Sequence, residues 1–122
     1  SDFINKMEGN TDTISSSIRS YVSSEFDKTS VSNITVNDDL GTGSGHIVLV
    51  TLNWDVQNSA ETSKDILQMY SDDLAATIAE KHSSVNEISI FWNVPHLSND
   101  ASKWAYSCKD GKAYSTDVVV NF

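Results

Sequence analysis

The amino-acid sequence predicts an α+β domain with two layers, an antiparallel sheet with two helices on one face, in the order α-β-β-α-β-β-β. Three adjacent segments carry this prediction: a strand pattern over His46–Val56, a helix pattern over Thr62–His82 and a strand pattern over Glu87–Val94. Their hydrophobic periods differ, because strands alternate every second residue and helices repeat about every 3.6 residues. At 122 residues the chain has the length of one domain and can bury its own core.

The first helix is predicted over Thr11–Lys28, where apolar residues recur at helical spacing in a Ser-rich segment. These residues are Ile14, Ile18, Tyr21, Val22 and Phe26. Serine is a mediocre helix former, so this helix should depend on the sheet beneath it. Residues 1–10 are predicted to be a flexible N-terminal tail, which leaves residues 11–122 as the single α+β domain.

Two strands should follow the first helix. Ser32–Asp38 alternates, with Ile34 and Val36 on one side, and Gly41–Gly45 should connect it to the next strand. In His46–Val56, one set of alternate residues should belong to the core: Val48, Val50, Leu52, Trp54 and Val56. The other set starts apolar and becomes polar, as on a partly covered sheet face: Ile47, Leu49, Thr51, Asn53 and Asp55.

The second helix is predicted to begin with Asn58 as its N-cap and Glu61 closing a capping box, with Thr62 and Asp65 as a competing start. One stripe of the helix should pack against the sheet, and a charged residue in that stripe should unfold the domain. The stripe consists of Ile66, Leu67, Tyr70, Leu74 and Ile78.

The last three strands are predicted over Glu87–Val94, Ser102–Lys109 and Ala113–Phe122. Pro95 should end the first of them, because proline cannot donate a hydrogen bond to the sheet. Asp110-Gly111 is a typical turn between the other two. The alternation places Trp54, Trp92 and Trp104 on the core faces of their strands.

The charge balance excludes several classes of partner. The chain has 17 acidic and 8 basic residues, a net charge of −9. Nucleic acid and anionic membranes are therefore not expected as partners, because both require a basic surface. A basic protein partner remains compatible with this charge. The longest uninterrupted apolar run is Ile47–Val50, so no transmembrane segment is predicted.

No motif predicts a catalytic residue, a metal ligand or a cofactor site. The Gly41–Gly45 run lies between two strands rather than before a helix, so it is interpreted as a hairpin loop and not as a phosphate-binding loop. The three histidines, His46, His82 and His96, lack partners at metal-ligand spacing. Cys108 is the single cysteine, which excludes an internal disulfide, and it is expected to be a small buried hydrophobic residue.

Two pairs of adjacent acidic residues, Asp38–Asp39 and Asp72–Asp73, are interpreted as solvated acids. Neighbouring side chains on a strand or a helix point in different directions, so neither pair can act as facing catalytic carboxylates. A tertiary or partner contact is left open for one of Asp72 and Asp73, because that pair lies in the middle of the second helix.

The residues of most interest lie on the second face of the predicted sheet. Thr51, Asn53, Phe91 and Asn93 should share that face, together with Leu49 and Ala105. If both helices cover the other face, this mixed apolar and polar patch is exposed, and exposed apolar patches mark partner surfaces. The alternatives are a merely solvated sheet face, or a face covered by the C-terminal segment.

A resemblance covers Leu52 to Leu97, a little over a third of the chain. It rests on the runs Asn53–Val56 with Asn58-Ser59, Met69–Ala76 and Ile90–Pro95. In these runs the chain resembles small uncharacterised exported proteins of Gram-positive bacteria, which are often lipid-anchored. The resemblance implies an extracellular or cell-surface location after loss of a signal peptide. It brings no catalytic signature and assigns no functional residue.

These observations predict a non-catalytic exported domain that binds a protein or a small ligand through Thr51, Asn53, Phe91 and Asn93. The alternative is an acidic inhibitor or immunity-type protein that blocks a basic partner, based on the net charge of −9. A third possibility is an enzyme whose residues come from several loops. The oligomeric state stays open, including pairing of the last strand with its own copy.

Overall fold

The computed structural model describes the backbone of residues 2–122 and the side chains of residues 11–122. Its elements follow the predicted order, which confirms the α+β fold class. They are α1 (Asp2–Glu25), β1 (Thr29–Asp38), β2 (His46–Trp54), α2 (Ala60–Lys81), β3 (Val85–Asn93), β4 (Ser102–Lys109) and β5 (Lys112–Val119). The predicted flexible tail, residues 1–10, lies outside the described side chains. None of the helices that the structure describes is long and apolar enough to cross a membrane.

The five strands form one sheet in the order β1-β2-β3-β4-β5. The prediction of an antiparallel sheet is wrong for one pair: β2 and β3 are parallel, so the sheet is mixed. The cause is α2, which connects β2 to β3 and carries the chain back, so that β3 starts at the same end as β2. Hydrophobic alternation shows which face a residue occupies but not the direction of the neighbouring strand.

A single core lies between the helices and one face of the sheet, as predicted. From α1 it takes Ile14, Ile18 and Val22, with Phe26 directly after the helix. From α2 it takes Leu67, Leu74, Ala75 and Ile78. The sheet supplies Val48, Val50, Leu52, Trp54, Ile88, Ile90, Trp92, Trp104 and Tyr106. Because residues of both helices join the same cluster, both helices lie on the same face. The core residues that alternation predicts for β2 and β3 are buried, except Val56, which lies beyond the end of β2 and is partly buried against the core.

The start of α2 differs by one residue from the predicted N-cap. Ser59, not Asn58, is the N-cap: its backbone is extended and its hydroxyl accepts a hydrogen bond from the Thr62 N–H, at 3.2 Å. The cap places Glu61 in the first turn, where a negative charge is favourable beside the free N–H groups. The predicted capping box with Glu61 is therefore not formed.

The Gly41–Gly45 run is a hairpin loop between β1 and β2, as predicted, and Gly45 has a positive φ of 82°. A Cβ at Gly45 would lie 2.6 Å from the backbone oxygen of Ser84, so only glycine fits here. The second hairpin turn, Asp110-Gly111, also has positive φ at both residues, as the tightest hairpin turns require.

Candidate binding surface on the open sheet face

The four residues predicted as a binding site lie side by side on the two central parallel strands. Thr51 is paired with Phe91, and Asn53 is paired with Asn93. The Asn93 side-chain amide donates a hydrogen bond to the Asn53 side-chain oxygen, at 2.9 Å. All four side chains are partly exposed. The structure thus brings the predicted set together in one patch.

The patch belongs to a face that extends over all five strands. The strand pairing defines three rows of residues across it. The rows are Asn37–Ile47–Glu87–Ser107–Tyr114, then Thr35–Leu49–Ser89–Ala105–Asp117, and then Asn33–Thr51–Phe91–Lys103–Val119. We call these three rows, with Asn53 and Asn93, the open face. Its apolar residues lie on four different strands and are separated by amide and hydroxyl groups.

Neither described helix covers the open face, because both pack into the core on the other side. The C-terminal segment also lies on the helix side. Val120 and Phe122 pack against the core, and the backbone N–H of Asn121 donates to the buried hydroxyl of Ser102, at 2.9 Å. Of the alternatives for this face, cover by the C-terminal segment is therefore wrong.

Sequence reasoning did not place the β5 residues Tyr114, Asp117 and Val119 on the open face, and it also missed Lys103 on β4. The register of β5 shifts by one residue opposite Ala105 and Tyr106, which leaves Thr116 as a bulge. The bulge reverses the alternation, so Tyr114 and Val119 share a face although they are an odd number of residues apart. The alternation of β4 could have placed Lys103, whereas no sequence signal marks the bulge.

The open face differs in charge from the rest of the chain. Among the residues that strand pairing places on it, two are acidic, Glu87 and Asp117. One is basic, Lys103, so the face carries only a small excess of negative charge. Lys103 Nζ lies 2.9 Å from an Asp117 carboxylate oxygen. Since the whole chain carries −9, nearly all of the excess negative charge lies on other surfaces.

The predicted solvated acids have structural contacts. Asp39 is only 6% exposed, so its prediction as a solvated acid is wrong. Its carboxylate accepts hydrogen bonds from the Asn86 side-chain amide (3.0 Å) and the backbone N–H groups of Gly41 and Thr42 (3.1 and 3.2 Å). These bonds, with Asn86 first, hold the pKa of Asp39 below its usual value. Asp39 therefore fixes the β1–β2 loop onto the start of β3.

Asp72 and Asp73 both make tertiary contacts, whereas the sequence left such a contact open for only one of them. The Tyr21 hydroxyl donates to Asp73, at 2.8 Å, which connects α1 to α2. The Tyr106 hydroxyl donates to Asp72, at 2.6 Å, which connects β4 to α2. Burial of Tyr106, together with the Asp72 carboxylate, raises the pKa of this phenol far above its usual value. These acids position elements of the fold.

The histidines and the cysteine are dispersed. His46 Nδ1 lies 3.0 Å from the Ser84 hydroxyl, and His96 Nε2 lies 2.9 Å from the backbone oxygen of Asn58. Across the described residues, no three His, Cys, Asp or Glu side chains gather as metal ligands would. Cys108 is partly buried against the core, and burial raises its pKa to about 11, so its reactive thiolate is disfavoured.

No protein-family model, curated protein or solved structure matches this chain. The functional interpretation therefore depends on the geometry of the chain itself.

Proposed function

We propose that this chain is a non-catalytic binding domain that contacts its ligand through the open face. The observation that carries the proposal is the uncovered patch on β2 and β3 that contains Ile47, Leu49 and Phe91, with Phe91 paired with Thr51. A sheet that leaves one face to solvent usually carries polar residues on that face. Here Ile47, Leu49 and Phe91 lie on that face, which favours a partner surface.

The chemistry of the patch suits a ligand with both apolar and amide groups. Phe91 supplies a rigid apolar surface, and aromatic residues commonly anchor interfaces. The bond from Asn93 to Asn53 uses one donor and one acceptor, so the Asn53 amide and the Asn93 oxygen keep hydrogen-bonding capacity. A peptide or protein surface supplies groups of both kinds.

The experiment is selection of a displayed random-peptide library against the wild-type protein, followed by binding of the selected peptides to variants. Phe91→Ala and Asn93→Ala should each weaken binding, whereas Met69→Ala should not. Met69 is the matched control, because it is an apolar residue, 59% exposed, on α2. Peptides that bind the Phe91 and Asn93 variants as well as the wild type would contradict the proposal, provided that thermal melting shows all variants folded.

The β1–β2 loop favours the second candidate, an acidic inhibitor of a basic protein. Leu40 is 88% exposed at this loop, between the carboxylate of Asp38 and the loop segment that Asp39 holds in place. An exposed apolar side chain beside a negative charge suits a basic partner with an apolar pocket. The same selection distinguishes the two candidates. Basic peptides that lose binding with Leu40→Ser, and with added salt, would support the inhibitor.

The proposed location is extracellular or cell-surface, and it rests on the resemblance of Leu52–Leu97 to exported proteins of Gram-positive bacteria. An antibody raised against this domain should detect the protein in the medium or on the surface of intact producing cells. Detection only after cell lysis would contradict an exported location. This test is independent of the binding proposal.

A further inference from the structure

We propose that the occupant of the open face is a second copy of this chain, so that two sheets pack face to face with the helices outside. This inference rests on the proposed function and names the partner. Packing two sheets through side chains about 10 Å thick is a common arrangement in proteins. It would convert the two-layer domain into a four-layer αββα dimer.

The charge distribution favours this partner. Two copies, each with a net charge of −9, repel each other through most of their surfaces. The open face is the exception, since it carries only two acidic residues, Glu87 and Asp117, and Asp117 is paired with Lys103. Contact through this face joins the least acidic surfaces and keeps the acidic helices apart. A strongly basic partner would instead be attracted to the acidic surfaces elsewhere.

The size of the face is sufficient for a weak dimer. Five strands spaced about 4.8 Å apart, with about seven residues each at about 3.3 Å per residue, give roughly 24 by 23 Å. Two such faces in contact would bury on the order of 1,000 Å² in total, near the lower bound for a specific interface. The dimer should therefore form reversibly at moderate protein concentration.

The edges of the sheet are less suited to self-association. Each edge strand departs from regular pairing: β1 between Val31 and Asn33, and β5 at Thr116. Bulges at sheet edges bend the strand and disrupt the row of free backbone groups that another strand would need. The structure therefore directs a second copy to the face, in place of the edge pairing considered from the sequence.

The strand order identifies the centre of the interface. Because β3 is the middle strand, a two-fold axis that brings two open faces together places β3 against β3 of the other copy. Ser89 is the β3 residue of the middle row of the open face, and its side chain is partly exposed. A charge introduced at Ser89 should therefore approach its own copy across the axis.

Sedimentation velocity over about 1 to about 500 µM measures the dimer, whose dissociation constant should lie within this range. Ser89→Glu should weaken dimerisation at least about tenfold, because like charges would be buried near each other. Ser16→Glu is the matched control: it adds the same charge at an exposed position of α1 and should leave the dimer intact. Added salt should strengthen the dimer by screening the repulsion between two acidic copies.

Two outcomes would overturn the inference. A wild-type chain that stays monomeric over the whole range removes the second copy as the partner, while peptide selection still tests the open face as a binding surface. Equal dimerisation of the wild type, Ser89→Glu and Ser16→Glu would place the interface elsewhere. If Ser89→Glu fails to fold by circular dichroism, Ala105→Glu serves instead, because Ala105 is the neighbour of Ser89 on β4.

Discussion

The indole N–H of Trp92 donates a hydrogen bond to the Ser71 hydroxyl, at 2.8 Å, inside the core between β3 and α2. Both side chains are fully buried. The small serine leaves room for the indole against α2, and its oxygen satisfies the N–H group, which would otherwise lose hydrogen bonding to water without replacement.

Ser71→Ala should destabilise the domain by about 1–3 kcal/mol, because it leaves the Trp92 N–H buried without an acceptor. Ser63 is the matched control. It is equally buried on the same helix, but its hydroxyl has no hydrogen-bond partner among the described residues. Ser63→Ala should therefore be neutral or slightly stabilising. Urea unfolding measures the stability of both variants. Equal losses of stability for Ser71→Ala and Ser63→Ala would contradict the assigned role of Ser71.

Leu74→Asp should unfold the domain, since Leu74 is fully buried between α2 and the sheet and a carboxylate there would have no partner. Met69→Asp, at an exposed position of the same helix, should retain a cooperative transition. Thermal melting followed by circular dichroism distinguishes them. A folded Leu74→Asp protein would disprove the packing of α2.

Phe91→Ala should lower the free energy of unfolding much less than Trp92→Ala, although the two residues are adjacent. Trp92 is fully buried, and its truncation should cost about 3–5 kcal/mol. Phe91 lies on the open face and is already partly exposed, so its truncation should cost clearly less. Denaturant unfolding compares the two, and a loss for Phe91→Ala as large as that for Trp92→Ala would show that the face is a second core.

His82 should make the stability fall in mildly acidic solution. Burial, followed by the charge of Lys81, lowers its pKa below the usual value of 6.5. The unfolded chain therefore binds a proton at this residue at a higher pH than the folded chain does. The contribution of His82 to the free energy of unfolding is fully present above about pH 6.5 and decreases as the pH falls toward the folded-state pKa. His82→Gln should make the free energy of unfolding, measured in urea, depend less on pH between pH 7 and pH 5. An unchanged pH dependence would contradict the role of His82.

The sequence by itself determined the element order and which face of each element is buried. Alternation in β2 separated Val48 and Val50 from Leu49 and Thr51, and the structure buries the first pair and leaves the second partly exposed. This works because burial of apolar side chains dominates the free energy of folding and leaves a period that can be read in the sequence.

Only the tertiary structure decided the parallel pairing of β2 and β3, the bulge at Thr116 and the contacts of Asp39, Asp72 and Asp73. Each depends on groups far apart in the chain. Local periodicity records the environment of a side chain, whereas strand direction, register and hydrogen-bond partners are set by which segments meet when the chain closes on itself.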